Sequence, residues 1–548
     1  MILREHGGGI RWPLLLAGAL AIAMLAAGLA LYLRLSGDDS AVLADIPTYT
    51  EAIVGSAQRV NPLFAAANDV DQDLARLVFS GLVRIGPDGS VLPDLADLPQ
   101  ISEDGRTYTF RLKRNLTWHD GQPVTSSDVA FTIERLTAPD FTGDVVLAES
   151  WSGVEVETPD DATVIFRLKQ ASAPFVARNA TLGILPVHLL RNLAGQALRD
   201  APFNTAPVGT GPYRLAALGS GEARLAANER YHLGAPGIGI IRFRFYPDYA
   251  AAIAAVAAGD ADGLFFREPP SAAQQAELAR IKDMRTEQFQ RAGYIVLYLN
   301  NDQVAYFAEA EVRRAINLAI DREAIAGEAF GQLATASASA IAPGSWAYAP
   351  EYDGLTVDLE EARALLDEAG WKADPNTHIL VRGGEEFRFT IRTDTDPARA
   401  AAAASVARAL DQLGIRATVA TTTFSVLERD FLRERRYDAA IAGWDQGPDP
   451  DPYFGWHSSQ GGSAGLNFAD FGDIVVDQLI AKARTTADRE IRVQQYRQFQ
   501  EKWVDLAPSV VLVYPHYLFI HTDALGGVTA SVLAEPAQRF FDVQRWQK

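Results

Sequence analysis

The chain has 548 residues, of which 48% are hydrophobic and 22% charged, and its formal net charge at pH 7 is −19. An acidic surface repels phosphate backbones, which argues against nucleic acid as a partner. The absence of cysteine excludes disulfides, thiolate metal sites, a cysteine nucleophile and a lipidated N-terminal cysteine.

The first predicted element is an apolar segment near the N-terminus. Residues 12–33 carry no charged side chain, and a helix of this length spans about 30 Å of hydrocarbon. Signal-peptide cores are usually about 7–15 residues long, so we expect an uncleaved transmembrane anchor, with a cleaved signal peptide as the alternative. Arg4 and Arg11 precede the segment, whereas Asp38 and Asp39 follow it. By the positive-inside rule the protein is a single-pass protein of the cell membrane, with its globular part on the extracytoplasmic (periplasmic or extracellular) face.

A polar linker follows at 34–45, and the next signals are short and strand-like. Residues 107–113 and 162–169 alternate between polar and apolar side chains, which predicts strands. We therefore expect an extra strand-rich domain over residues 86–202.

Two tyrosines lie on one predicted strand further along the chain. Residues 292–301 read as a strand, and the period of two puts Tyr294 and Tyr298 on the same face. This face either lines a cleft, with Tyr294 as a candidate ligand contact, or belongs to the core.

An alternation of strand and helix patterns follows. Its β-α-β-α-β order predicts a parallel sheet with right-handed crossovers. Open sheets of this kind bind ligands at the carboxyl ends of their strands. The stretch GWDQGPDPDPYFGWHSS, residues 443–459, begins at such an end. The predicted segments are a strand at 387–393, a helix at 397–413, a strand at 415–423, a helix at 424–436 and a strand at 437–444.

This stretch suggests a pocket for an amine. A buried ammonium needs a charged acceptor, and a tryptophan face adds cation–π contact. Asp445, beside Gly443 and Trp444 at the strand end, is the first candidate, with Asp449 and Asp451 behind it. A solvated acidic turn is one alternative. Calcium binding by the last two aspartates is another, although the Gly and Glu of an EF-hand loop are missing.

The sequence offers no clear catalytic constellation. It contains no HExxH or GxxxxGK[ST] pattern, and its eight histidines show no ligand-type spacing. We therefore predict neither an enzyme nor a cofactor or metal site. An exported hydrolase using Asp449 and Asp451 as paired carboxylates remains the alternative from another class.

Seven segments, taken in order, resemble one protein family. They are similar to the extracellular solute-binding proteins (family 5) of peptide/nickel-type ABC importers, which include oligopeptide- and dipeptide-binding proteins. Any one segment is weak evidence, and the ordered set is specific. The segments are VNPLF (60–64), LARLVFSGLVRIGPDGSVLPDLA (74–96), DGRTYTFRLKRNLTWHDGQPVTSSDVAFTIE (104–134), PVGTGPYRL (207–215), LNNDQVAYFAEAEVRRAINLAIDREAI (299–325), ARALLDEAGW (362–371) and YDAAIAGW (437–444).

The resemblance implies an α/β fold of the two-lobed, type II periplasmic-binding-protein kind, with the extra strand-rich domain at 86–202. Lobe I would combine residues 45–85, 203–285 and 515–548, and lobe II would span 286–514. The two crossings between the lobes would act as a hinge.

The resemblance also implies a function. A monomer of this family would hold a peptide-like solute between its lobes and deliver it to an ABC permease and its ATPase subunits, while the N-terminal helix replaces the lipid anchor of other members. A sensor or chaperone on the same fold is the remaining alternative.

The resemblance implies site residues as well. Asn68 and Asp69 would face the solute. In peptide-binding members an aspartate three residues after the tryptophan that matches Trp444 holds the peptide ammonium group, but Gly447 stands there in this chain. Ile441 replaces a second contact, an arginine.

Overall fold

A computed structural model describes residues 46–353 and 356–548 of the protein. The predicted anchor at 12–33 and the linker at 34–45 lie outside these described residues. Among the helices of the two described ranges, none has the length and apolar character needed to cross a bilayer.

The described residues form both strands and helices, as expected for an α/β protein. The strands are β1 (Thr48–Val54), β2 (Val83–Ile85), β3 (Val91–Pro93), β4 (Gln100–Ile101), β5 (Thr107–Arg111), β6 (Glu155–Asp160), β7 (Thr163–Arg167), β8 (Tyr213–Leu218), β9 (Glu222–Ala227), β10 (Ile240–Tyr246), β11 (Gly263–Phe266), β12 (Met284–Arg291), β13 (Gly293–Leu299), β14 (Ala334–Ala336), β15 (Lys372–Ala373), β16 (Leu380–Arg382), β17 (Glu385–Glu386), β18 (Arg388–Asp394), β19 (Arg416–Thr422), β20 (Ala439–Asp445), β21 (Ser509–Thr522) and β22 (Val532–Leu533).

Many helices begin at residues whose side chains accept hydrogen bonds from the first free backbone N–H groups. Asn68, Asp248, Asp396 and Asp488 are caps of this kind. The helices are α1 (Asp69–Val78), α2 (Ser126–Thr137), α3 (Val145–Ser150), α4 (Phe175–Asn179), α5 (Val187–Leu190), α6 (Gly195–Arg199), α7 (Tyr249–Ala257), α8 (Ala272–Leu278), α9 (Ala310–Ala319), α10 (Arg322–Phe330), α11 (Leu359–Glu368), α12 (Pro397–Asp411), α13 (Phe424–Val426), α14 (Tyr453–Trp456), α15 (Ile474–Thr485) and α16 (Arg489–Leu506).

One long strand, β21, belongs to two sheets. Its C-terminal part pairs with β11 and β12 in a first sheet of order β8-β9-β10-β1-β11-β21. Its N-terminal part pairs with β13 and β14 in a second sheet of order β19-β18-β20-β13-β21. The sequence of β21 is a nearly continuous apolar run, which suits a strand that is buried along most of its length.

The chain crosses between the sheets at two neighbouring places. At the first, β12 ends at Arg291 in the first sheet and β13 begins at Gly293 in the second. At the second, Pro515 pairs with β14 of the second sheet, and the next residue, His516, pairs with β12 of the first. The lobe boundary expected at residue 286 falls inside β12. We call the parts on either side of the crossings the first half and the second half.

The predicted β-α-β-α-β run is confirmed. β18 pairs in parallel with β19 and with β20, and α12 connects the first two of these strands. The carboxyl end of β20 therefore lies at the sheet edge where the stretch 443–459 begins.

The strand-rich region contains a four-stranded antiparallel sheet of order β4-β5-β7-β6. The strands predicted at 107–113 and 162–169 are β5 and β7. Phe110 and Phe166 of this sheet belong to the same buried cluster as Tyr49 and Phe243 of the first sheet. This strand-rich module therefore packs as part of the first half.

A buried ion cluster joins the end of the chain to the first sheet. Arg539 lies 2.8 Å from both Glu51 of β1 and Asp73 of α1, and all three side chains are fully buried. Burial raises the pKa of Glu51, and the Arg539 guanidinium opposes that rise. Removal of one member would leave an unpaired buried charge, so the cluster fixes the C-terminal segment to the first half.

Candidate functional site

The loop after β20 is held against the crossing between the sheets. The backbone N–H of Gln446 donates to the carbonyl oxygen of Ala292 at 2.8 Å, and its side-chain amide donates to the carbonyl of Ala340. Gly447 follows with φ +75°, a left-handed conformation that glycine adopts without strain. The position at which the resemblance placed an ammonium-binding aspartate is therefore a turn.

Asp449 has a cationic partner within the chain. Its carboxylate accepts two hydrogen bonds from Arg492, at 2.6 and 3.0 Å, and both side chains are buried. Burial acts to lower the pKa of Arg492, but Asp449 and Tyr496 together hold that pKa above its ordinary value. An entering amine would have to displace this arginine.

Asp451 is likewise paired inside the protein. Its buried carboxylate accepts a hydrogen bond from Arg484 of the second half at 2.7 Å, and Arg178 of the strand-rich module lies 3.8 Å away. Burial raises the pKa of Asp451, and the two arginines oppose that rise. Neither a hydrolytic carboxylate pair nor a calcium site fits aspartates already bound to arginines. Within residues 46–353 and 356–548, no group of acidic or histidine side chains is placed to hold a metal ion.

Asp445 is the aspartate of this stretch that faces solvent. Its side chain is 73% exposed and lies 3.0 Å from Arg291 at the crossing. Gly443 is also exposed, and the half-buried Trp444 packs against the second-half core. The indole ring contacts the backbone at Gly455, where an added Cβ would lie 3.2 Å away.

Asn68 and Asp69 lie at the N-terminus of α1 in the first half. The Asn68 side chain caps the helix by accepting from the N–H of Val70, and it donates to the carbonyl of Ser56. Asp69 is 58% exposed and lies 3.6 Å from Arg267. Asn68 therefore orients the helix end, and Asp69 presents a carboxylate.

The structure brings Asp69 and Asp445 together from opposite halves around Tyr517 of β21. Arg267 directly follows Phe266, which pairs with Leu518, so it lies beside Tyr517. The Arg291 guanidinium lies 5.4 Å from the Tyr517 ring. Burial raises the pKa of Tyr517 to about 12; the two arginines lower it, and the two aspartates raise it. We call this group, Asp69, Arg267, Arg291, Asp445 and Tyr517, the crossing cluster.

Tyr294 lies in the core of the second half. It is 1% exposed, its hydroxyl accepts a 2.8 Å hydrogen bond from the indole N–H of Trp456, and its ring meets Tyr514 edge-on. Burial raises its pKa. Tyr294 therefore matches the core interpretation of this strand, and its contacts position the strand next to Trp444.

The comparison with known protein families identifies the class of protein that carries this site. The family described as bacterial extracellular solute-binding proteins, family 5 Middle, matches residues 90–465, well over half of the chain. The chain belongs to this family. Its members are solute-binding proteins rather than enzymes, as the sequence predicted.

Relatives of this family 5 protein match most of its length. The oligopeptide-binding protein AppA of Bacillus subtilis is 27% identical over 90% of both chains. A putative ABC transporter peptide-binding protein of Brucella ovis is 30% identical over 66% of this chain and 67% of its own. The dipeptide-binding protein of Escherichia coli is 26% identical over 84% of this chain and 88% of its own.

Solved structures of similar proteins share the fold. The structure of NikZ from Campylobacter jejuni in complex with Ni(L-His) is 25% identical, covers 91% of this chain and 99% of its own, and has a TM-score of 0.66. AppA from Bacillus subtilis in complex with a nonapeptide is also 25% identical, covers 91% of this chain and 98% of its own, and gives a TM-score of 0.63. The α/β periplasmic-binding-protein fold expected from the sequence is confirmed.

Sequence reasoning did not identify three members of the crossing cluster of this family 5 protein. Arg267 follows the end of β11 and Arg291 ends β12, whereas Tyr517 lies in the interior of β21. Strand ends were the signal that selected Asp445, and applying the same rule to β11 and β12 would have found the two arginines.

Proposed function

We propose that this protein is an extracytoplasmic solute-binding protein of an ABC importer that captures peptide-like solutes between its two halves. Membership of family 5 supports the class of function. Relatives named for oligopeptides and dipeptides, and a neighbouring structure described with a nonapeptide, support the type of solute.

The observation that carries the proposal is the pair of exposed carboxylates at the crossing. Asp69 comes from the first half and Asp445 from the second, and each has an arginine beside it. An ammonium group that enters between the halves exchanges water for charge-assisted hydrogen bonds to these carboxylates. Because one carboxylate belongs to each half, the bound amine favours the closed arrangement.

Trp444 and Gly443 complete this proposed contact surface. Trp444 is half-buried beside Asp445 and offers a flat apolar wall, whereas Gly443 leaves the backbone of β20 accessible. Main-chain hydrogen bonds to such a backbone do not depend on solute side chains, so the proposed range of peptides is broad.

The second part of the proposal concerns attachment of the protein to the membrane through its N-terminal segment. Residues 12–33 are apolar and uncharged, and we assign them to a single-pass anchor that keeps the globular part on the extracytoplasmic face. From there the closed protein would present its solute to a permease, whose ATPase subunits supply the energy. This step rests on the sequence and on the importers to which the family resemblance points.

Native mass spectrometry of the full chain, extracted in detergent and never denatured, tests the solute class. We expect co-purifying short peptides. A single sugar or a metal complex in their place would contradict the peptide assignment.

Calorimetric titration tests the role of Asp445. We expect Asp445→Asn to weaken binding of the tripeptide Ala-Ala-Leu by about 1.5–3 kcal/mol, the usual value of a hydrogen bond to a charged group. N-acetylation of the peptide should cause a loss of the same order in the wild-type protein and little further loss in the variant.

Asp411→Asn is the matched control for this titration. Asp411 is also an exposed aspartate, 2.8 Å from an arginine, but it lies at the end of α12. Its substitution should leave the affinity unchanged. If the wild type, Asp445→Asn and Asp411→Asn bind the peptide with equal affinity, the crossing cluster is not the amine site.

A further inference from the structure

Within the first half, a cavity of about 390 Å³ opens between α1 and the strand-rich module. Its lining comes from α1, from α3 with its N-cap, and from the segment 178–183. Ala65 and Ala66 belong to its lining and precede Asp69 of the crossing cluster by a few residues, so the cavity lies close to the proposed amine site along the chain.

The cavity is lined by both apolar and polar side chains. Phe79, Val146, Leu147 and Leu182 supply the larger surfaces. These surfaces suit an apolar group of a solute.

Most polar side chains of the lining already have partners. Arg76 pairs with Glu535 at 2.6 Å. Asp144 caps α3 by accepting from the N–H of Val146 at 2.7 Å. The hydroxyls of Ser150 and Thr181 and the amide of Gln72 donate to nearby backbone carbonyls.

Arg178 is the exception among these lining groups. Its side chain is 28% exposed, and the nearest carboxylate oxygen, on Asp451, is 3.8 Å away, which is beyond hydrogen-bond distance. That carboxylate already accepts a 2.7 Å bond from Arg484. The Nε–H of Arg178 is buried without a hydrogen-bond partner among the described residues.

The charges around Arg178 do not balance. Three arginines, Arg178, Arg484 and Arg492, face two aspartates, Asp449 and Asp451, so the group has one excess positive charge. A guanidinium favours a carboxylate because its planar fork matches the two oxygens. The group therefore has the charge to bind one anion, and the Arg178 guanidinium has no carboxylate of the described residues within hydrogen-bond distance.

We propose that Arg178 binds the terminal carboxylate of the solute, and that the cavity holds the side chain next to that carboxylate. The substrate class is then a short peptide, or peptide-like acid, with a free carboxylate and an apolar C-terminal residue. This inference rests on the proposed function. The amine would lie at the crossing cluster, which includes Asp69, and the carboxylate at Arg178, beside the cavity that Ala65 and Ala66 line.

The position of Arg178 also connects this contact to the second half. It belongs to the strand-rich module, and its guanidinium lies 5.7 Å from the ring of Phe454 in the second half. A carboxylate bound there joins a group that already spans both halves. The carboxylate of the solute would thus bind next to the contact that Arg178 already makes with the second half.

Calorimetry with Ala-Ala-Leu and its C-terminal amide tests the inference in the full-length protein. We expect the wild type to bind the free acid about tenfold or more tightly than the amide. Arg178→Met, which keeps an unbranched apolar stem but removes the guanidinium, should lower the affinity for the acid by a similar factor. It should bind acid and amide equally.

Arg76→Met is the matched control. Arg76 lines the same cavity but pairs with Glu535, so its substitution should leave the acid-to-amide ratio unchanged. A ratio that persists in Arg178→Met, or a wild type that does not distinguish acid from amide, would overturn the inference while the proposed function stands. If the wild type binds neither peptide and no peptide co-purifies, the proposed function itself fails.

Discussion

Asp445 and Asp449 carry the same charge in different surroundings. The Asp445 side chain is 73% exposed, so water screens its pair with Arg291, and such surface pairs contribute about 0–1 kcal/mol to stability. Asp449 and Arg492 are only 5% and 7% exposed. Loss of one partner there leaves a buried charge without compensation.

We expect Asp449→Asn to lower the free energy of unfolding by about 3–5 kcal/mol. Asp445→Asn should change it by less than about 1 kcal/mol. Denaturant unfolding followed by tryptophan fluorescence and far-UV circular dichroism measures both. Similar losses in the two variants would contradict the difference in burial described above.

The pattern of residues at 443–459 predicted acidic side chains at a strand end but not their partners. Arg484 and Arg492 follow Asp451 and Asp449 by 33 and 43 residues. Local patterns carry no information about which distant arginine packs against which aspartate. The same limit applies to Tyr294, for which cleft and core were equally compatible with the period of two.

At the scale of elements, the crossing between the sheets depends on the absence of a side chain at Gly293. A Cβ atom there would lie 2.6 Å from the carboxylate of Asp445 and 2.8 Å from the carbonyl oxygen of Trp444. Both distances are shorter than real Cβ contacts allow. β13 and β20 can therefore pair closely at this end only with glycine.

We expect Gly293→Ala to destabilise the protein by about 1–3 kcal/mol, as for other overpacked sites, and to weaken Ala-Ala-Leu binding because Asp445 must move. Thermal unfolding and calorimetry measure the two effects. Gly221→Ala is the control, since a Cβ at that glycine meets nothing within 4 Å. Unchanged binding in Gly293→Ala would separate Asp445 from the solute.

The elements between 387 and 445 could be predicted well from the sequence because their periodicities are strong. The segment predicted as a helix at 424–436 is more irregular: α13 is short, and Leu427–Leu432 forms a π-helical turn. The segment then leaves the helix because Arg435 takes φ +54°. Its buried guanidinium donates to the carbonyls of Gly462 and Asn467, which are distant in sequence and could not be anticipated.

At the scale of the whole molecule, the two halves also touch away from the crossings. Asp88 of the first half lies 3.4 Å from Arg489 of the second, and its carbonyl accepts from the N–H of Trp346. The N–H of Ala173 donates to the carbonyl of Arg484 at 2.8 Å. These three contacts hold the two halves in this arrangement without the participation of a solute.

Buried histidines make the stability of the whole molecule depend on pH. His119 is neutral in the fold: its Nδ1 accepts from the N–H of Gly209, and its Nε2 lies 3.0 Å from the carbonyl of Gly211, to which it donates. Burial lowers the pKa of His119 to about 4 and likewise that of His516. The unfolded chain, with a histidine pKa of about 6.5, binds more protons in this window.

Stability should therefore fall as the pH decreases from about 6.5 toward 4, with a contribution from His119 of about 2 kcal/mol between pH 7.5 and 5. His119→Gln keeps one acceptor and one donor but does not titrate. We expect the difference in unfolding free energy between wild type and variant to shrink by that amount on acidification. A difference that stays constant with pH would contradict a buried neutral His119.

Carboxylates with raised pKa values act in the opposite direction. Burial raises the pKa values of Asp128 and Asp451, so the folded state holds these protons to higher pH than the unfolded chain. Their protonation offsets part of the histidine effect at the acid end. For this reason the comparison uses a variant rather than the total pH dependence.

The broad architecture could be predicted because ordered family segments run along most of the chain, whereas the detailed boundary at the crossing could not. β12 is continuous with β13 in sequence except for Ala292, and both strands are extended. Only the pairing of β12 with the C-terminal part of β21 assigns it to the first sheet.

The buried contacts of Arg539 with Glu51 and Asp73 have a consequence for biosynthesis. The second sheet is complete once the ribosome has added β21, but the first half still lacks Arg539, which is 488 residues from Glu51. The N-terminal part of the first half therefore cannot complete this buried ion cluster until the C-terminal segment has been synthesised.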